Sequence, residues 1–123
     1  MPLPESFFND LRAMYAQGRQ VSGTDIKDLS ASTGEPFGKI VDEIAHYLAH
    51  GFDSSELPYE FCDSVINDLW GLMLDAGELS PLACRVFEAF DAGEWYRPDW
   101  PHDDPVETFT RPLISEILAS ERR

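Results

Sequence analysis

Apolar residues recur along most of the chain three and four positions apart, which is the spacing of one face of an α-helix. Prolines, serines and glycines divide this pattern into segments, at places where such residues begin or end helices. No segment alternates between apolar and polar residues in the manner of a half-buried strand. We therefore predict an all-α fold, in which residues 1–123 form a single domain, a compact bundle of five to six helices.

The start of each helix is predicted from a capping residue or a proline, and its end from a glycine. The starts are Pro4, Ser22 or Thr24, Pro36 at the first helical position, Leu57, Ser80 and Asp104, and the stops include Gly18, Gly34, Gly51 and Gly93. The strongest pattern covers residues 57–75, with an apolar face wide enough to contact several neighbours. Pro112 lies inside the last segment, so we expect a kink there or a start displaced to about Thr110.

Residues 91–105, DAGEWYRPDWPHDDP, break the helical pattern, and we call them the acidic aromatic segment. Pro98 and Pro101 are incompatible with a helix interior, so we expect a long irregular loop before the last helix. Its carboxylates and large aromatic side chains are Asp91, Glu94, Asp99, Asp103 and Asp104, with Trp95, Tyr96 and Trp100. Tryptophan and tyrosine are enriched in binding hot spots, and carboxylates around them steer a cationic partner. We predict that these residues bind a partner; the alternative is that the aromatic residues fold back over the core.

A second acidic strip consists of Glu56, Glu60 and Asp63. The spacing of i, i+4 and i+7 places all three on one face of the predicted helix. We include them among the predicted partner-binding residues. The sequence leaves open whether this strip lies beside the acidic aromatic segment.

The charge of the chain limits the classes of partner. Its 123 residues include 23 acids and nine bases, for a formal net charge of −14. Binding to nucleic acid depends on lysine and arginine at the phosphates, and the only lysines are Lys27 and Lys39. An acidic surface also repels anionic membranes and speeds encounter with basic proteins. We therefore expect a basic protein partner, although acidity for solubility or in a halophilic source is an alternative.

The chain carries no recognisable catalytic signature, and we expect a protein that is not an enzyme and needs no cofactor. His46 and His50 are one helical turn apart, and Asp42 or Glu43 would be needed to complete a metal site. The alternative of two solvated histidines is favoured, so no metal is predicted. Residues 29–40 resemble a helix-turn-helix in spacing, but the second helix lacks the positive charge that DNA binding requires.

Two further features concern the cellular compartment. Cys62 and Cys84 each lie in an apolar helical pattern, which indicates buried thiols in a reducing environment. The chain shows no signal-peptide pattern and no apolar run of about twenty residues. The expected location is the cytoplasm.

Two blocks of sequence resemble a known class of protein. They are LPYEFCDSVINDLWGLM, residues 57–73, and FEAFDAGEW with DDPVETFTRPLISEIL, within residues 87–118. They are similar to small acidic helical immunity proteins of bacterial polymorphic and contact-dependent growth inhibition toxin systems, over about half of the chain. The resemblance implies a cytosolic protein that binds and neutralises one cognate toxin domain, usually a nuclease. A regulatory or adaptor domain that self-associates, and a small metal-dependent enzyme, are the alternatives.

Overall fold

The computed structural model describes residues 3–95 and 104–121, and within them every regular element is a helix. The six α-helices are α1 (Glu5–Ala16), α2 (Gly23–Thr33), α3 (Phe37–Asp53), α4 (Tyr59–Ala76), α5 (Pro81–Ala92) and α6 (Arg111–Glu121). They pack into a compact helical bundle, so the predicted all-α class is confirmed. None of the helices in these ranges combines the length and apolar character needed to cross a membrane.

Helix α3 lies at the centre of the bundle, where it contacts α2, α4, α5 and α6. Its stripe of Ile40, Ile44 and Leu48 is fully buried, as the apolar periodicity predicts. Helices α4 and α5 pack against each other and run antiparallel, since Tyr59 at the start of α4 contacts Phe90 near the end of α5 and Met73 near the end of α4 contacts Ser80. One continuous apolar core joins residues from all six helices. Cys62 is buried as predicted, whereas Cys84 is only partly buried.

Serine side chains cap two helices at the predicted positions. The Ser22 hydroxyl accepts a hydrogen bond from the Asp25 N–H at 3.2 Å, and the Asp25 carboxylate accepts one from the Ser22 N–H at 2.8 Å. The Ser80 hydroxyl likewise accepts from the Ala83 N–H at 3.0 Å. Each cap satisfies a backbone donor that the first helical turn leaves unpaired. Pro36 differs from its prediction by one residue, because it has extended backbone angles and immediately precedes α3.

Gly51 does not end α3, and this prediction is wrong. The helix continues to Asp53, and Gly51 is buried within its last turn. The glycine instead allows a close approach of the Leu57 side chain, since a Cβ at position 51 would lie 2.2 Å from Leu57 Cδ1. The Leu57 N–H also donates to the Gly51 carbonyl at 3.0 Å. Glycine is therefore required here by packing and not by a left-handed backbone conformation.

The last helical region begins with a wide turn. Residues Val106–Thr110 form a π-helix that leads directly into α6. Pro112 has no N–H to donate to the preceding turn, and a π-turn is one way for a helix to accommodate such a missing bond. Asp104 caps this region as predicted, because its carboxylate accepts a hydrogen bond from the Val106 N–H at 3.0 Å.

Candidate functional site

The structure brings together three of the predicted acidic residues. Asp63 on α4 shares a side-chain hydrogen bond with Glu94, and Asp91 lies close enough to act on it electrostatically. We call Asp63, Asp91 and Glu94 the carboxyl cluster. The antiparallel pairing of α4 with α5 creates it, because the first turns of α4 face the last turn of α5. The second acidic strip thus meets the acidic aromatic segment at Asp63.

The pKa of Asp63 is raised from its ordinary value to about 7. Partial burial makes the largest contribution, because it disfavours the charged form. The negative charge of Glu94, the hydrogen bond with Glu94 and the charge of Asp91 act in the same direction. Asn67 opposes them by donating a hydrogen bond to Asp63 Oδ1 at 3.2 Å. Near neutral pH the carboxyl group of Asp63 is therefore partly protonated. A cation bound beside it would favour the ionised form and release the proton.

Aromatic side chains hold the start of α4 against the end of α5, where the carboxyl cluster lies. The Tyr59 hydroxyl donates a hydrogen bond to the Phe90 carbonyl at 2.6 Å, and the two ring centroids are 5.9 Å apart. Phe52 on α3 packs edge-on against Phe90 at 5.3 Å. Burial, followed by the charge of Asp63, raises the pKa of Tyr59, so its hydroxyl stays protonated and continues to donate. Tyr59 was missed in the sequence because its partner lies 31 residues away.

The end of α5 is held from a second side by the last helical region. Thr110 is fully buried, and its hydroxyl donates to the Ala89 carbonyl at 2.7 Å. This carbonyl belongs to the last turn of α5, where the helix itself leaves carbonyls unpaired. A Cβ on Gly93 would lie 2.4 Å from Thr110 Oγ1, so only glycine fits between them. These contacts fix the chain just before Glu94.

Trp95 lies next to the carboxyl cluster and exposes 63% of its surface, the largest fraction among the large hydrophobic residues that the structure describes. Its indole N–H donates to Asp91 Oδ2 at 3.4 Å. The C-terminal end of a helix adds partial negative charge to its surroundings, and α5 ends here. Trp95 is therefore an exposed aromatic side chain surrounded by the negative charge of the carboxyl cluster and of the end of α5.

The remaining predicted site residues have different positions. Glu60 is an exposed residue in the first turn of α4. Glu56 is not on this helix face, which corrects the prediction; it precedes α4 and lines a depression with Arg12 and His50. The helix begins later than predicted because Pro58 has an extended backbone and α4 starts after it. Asp104 uses its carboxylate to cap the last helical region. Tyr96, Asp99, Trp100 and Asp103 lie outside the described residues.

The two histidines of the metal hypothesis lie together on α3, with ring centroids 4.4 Å apart. Loss of solvation, followed by the nearby charge of His50, lowers the pKa of His46. Both candidate third ligands have other partners, since Asp42 accepts from the Ser80 hydroxyl and Glu43 accepts from the Leu3 N–H at 2.6 Å. Across residues 3–95 and 104–121 no three histidine, cysteine or acidic side chains are grouped as a metal site would require.

Comparison with known proteins does not assign the chain to a family. No protein-family model matches it, and neither a curated protein nor a solved structure shows significant similarity to it. The resemblance to immunity proteins therefore stays a prediction from the residues.

Proposed function

We propose that the chain is a non-enzymatic immunity or inhibitor protein that binds and neutralises a cognate basic toxin domain of the nuclease class. The observation that carries this proposal is the convergence of Asp63, Asp91 and Glu94 beside the exposed Trp95. Acidic groups at an interface accelerate encounter with a basic partner, and a central tryptophan supplies much of the binding energy. The partner is a protein and neither nucleic acid nor a membrane, and the proposed location is the cytoplasm.

The proposed mechanism is occupation of the substrate path. A nuclease presents a basic groove to the phosphates of its substrate. The net charge of −14 attracts the chain to such a groove. The carboxyl cluster then pairs with arginine or lysine side chains of the groove, while Trp95 is buried in the partner. The substrate is excluded because the groove is filled.

The experiment is a pull-down from the source organism at low and high salt, with identification of any captured protein and an assay of its nuclease activity. The baits are the intact chain, a Glu94→Gln/Trp95→Ala variant, and a Glu5→Gln/Tyr15→Ala variant as control. The control removes one acid and one partly exposed aromatic side chain from α1; Tyr15 packs on Phe61, which lies on the face of α4 opposite Asp63. Circular dichroism first checks that each bait is folded.

We expect the intact chain and the control to capture one basic nuclease at low salt and less of it at high salt. The Glu94→Gln/Trp95→Ala variant should capture little of it. Capture by all three baits would place the interface elsewhere. If the captured protein is neither basic nor inhibited, the proposed function is wrong.

A further inference from the structure

A continuous stripe of residues follows the outer side of α4 away from the carboxyl cluster. Asp63, Asn67, Trp70 and Leu74 are spaced at i, i+4, i+7 and i+11, so they share one face of the helix. The stripe begins with a carboxyl group, continues through an exposed amide and ends with Leu74, which exposes 55% of its surface. At the rise of an α-helix it is about 17 Å long.

Helix α5 contributes a second row of side chains alongside this stripe. Phe87 stacks on Trp70 with ring centroids 4.5 Å apart and planes 8° from parallel. One turn further along α5, Asp91 belongs to the carboxyl cluster. The two contacts set the register of the helix pair, with acid against acid at one end and ring against ring in the middle. We call Trp70, Leu74 and Phe87 the apolar band.

The apolar band and the carboxyl cluster together have the chemistry of a polarised binding surface. One end presents acids and the exposed Trp95, and the other presents a half-buried aromatic pair and an exposed leucine. A complementary partner has cationic side chains at one end and apolar side chains along one face. An amphipathic helix supplies both at the right spacing, and when laid along α4 it matches the length of the stripe.

A second copy of this chain fits the surface less well. Each copy carries a formal charge of −14, and a copy laid along the stripe would bring its own acids to this surface. Like charges that face each other across an interface oppose association. Charge complementarity therefore selects a basic partner over self-association.

We propose that the apolar band, together with the carboxyl cluster, is the docking surface for a basic amphipathic helix of the partner protein. This inference rests on the proposed function, since it adds the structure and orientation of the partner to the same site. The cationic end of the helix lies at the carboxyl cluster and Trp95, and its apolar face lies on Trp70 and Leu74.

The test uses a synthetic peptide of about 16 residues, about 24 Å long as a helix. It has leucines along one face and arginines in one terminal turn. One control peptide replaces the arginines with glutamates, and another replaces the leucines with serines. Binding to the intact protein is measured by calorimetry, and the contact surface is mapped by changes in backbone amide NMR signals.

We expect the arginine–leucine peptide to shift the amide signals of α4 and α5 and both control peptides to bind much more weakly. Leu74→Ser should weaken binding about tenfold, because the leucine is buried on docking. Leu113→Ser is the matched variant, since Leu113 is a partly exposed leucine on α6, and it should change the affinity less than about twofold. Equal effects of the two substitutions, no binding, or signal changes on other helices would overturn the proposal. Self-association that Leu74→Ser abolishes would instead assign the band to a second copy.

The two proposals fail in different ways. If the peptide binds along α4 and α5 while no nuclease is captured or inhibited, the docking surface stands and the toxin-inhibitor role falls. If a nuclease is inhibited and Leu74→Ser binds it with unchanged affinity, the proposed function stands and the helix-docking inference is wrong.

Discussion

Replacing Asp63 with asparagine removes the acid whose ionisation α4 and α5 oppose. The pKa of Asp63 is raised from its ordinary value of 3.8 to about 7 by burial and by the charges of Glu94 and Asp91. The folded protein therefore binds more protons at this site than the unfolded chain between about pH 4 and pH 7. The free energy of unfolding falls as the pH rises through this window, and it levels off above it. Asparagine keeps the hydrogen-bonding capacity of the side chain without the charge.

The difference between 3.8 and about 7, at about 1.4 kcal/mol for each tenfold change in proton affinity, corresponds to about 4 kcal/mol. Asp63 is only partly buried, and solvent screening reduces this figure to about 1–2 kcal/mol. We expect Asp63→Asn to be more stable than the intact protein by that amount at about pH 8, and the difference to shrink as the pH falls until the two are equally stable at about pH 3, below both pKa values.

The assay is urea unfolding followed by circular dichroism across this pH range. Asp10→Asn is the control, because it removes the same charge from an exposed position on α1. It reports how much of any change comes from lowering the overall negative charge. The reasoning is refuted if Asp63→Asn shows no pH-dependent gain, or if Asp10→Asn shows the same gain.

Two more predictions follow from packing. Gly51→Ala should lower the free energy of unfolding by about 1–3 kcal/mol because its Cβ meets Leu57, whereas Gly71→Ala, with open space around it, should raise it by about 0.5–1 kcal/mol; urea denaturation of both variants measures the difference. If Gly51→Ala is as stable as Gly71→Ala, the close approach is wrong. Burial raises the pKa of the Cys62 thiol to about 12, whereas Cys84 is partly exposed. Iodoacetamide should therefore modify Cys84 first in the folded protein, and mass spectrometry of peptides measures the order of modification. Faster modification of Cys62 would contradict the buried position.

The helix order could be predicted because the signals are local. Ser22, Ser80 and Asp104 each cap a helix within three residues of their own position, and the apolar spacing identifies the buried faces. Gly51 shows where such local reasoning fails. A glycine near the end of a helix has the same sequence signature whether it ends the helix or admits a neighbouring side chain.

The candidate site could be predicted only in part, because it depends on pairing between helices. The sequence identifies Asp63 and Glu94 as acids with exposed spacing, but it does not show that α4 and α5 place them in one hydrogen bond. Tyr59 and Thr110 have the same limitation, since each is defined by a carbonyl at least 21 residues away. Those contacts become visible only when the register of the antiparallel pair is known.

The central claim is that this acidic and aromatic surface inhibits a basic nuclease, and titration of the nuclease activity of the captured partner tests it most directly. The intact chain should abolish activity at equimolar concentration, and Glu5→Gln/Tyr15→Ala should do the same. Glu94→Gln/Trp95→Ala should bind at least about 30-fold more weakly, as expected when a hot-spot tryptophan is lost, and should inhibit only at correspondingly higher concentration. Inhibition by Glu94→Gln/Trp95→Ala at the same concentration as the intact chain would contradict the account.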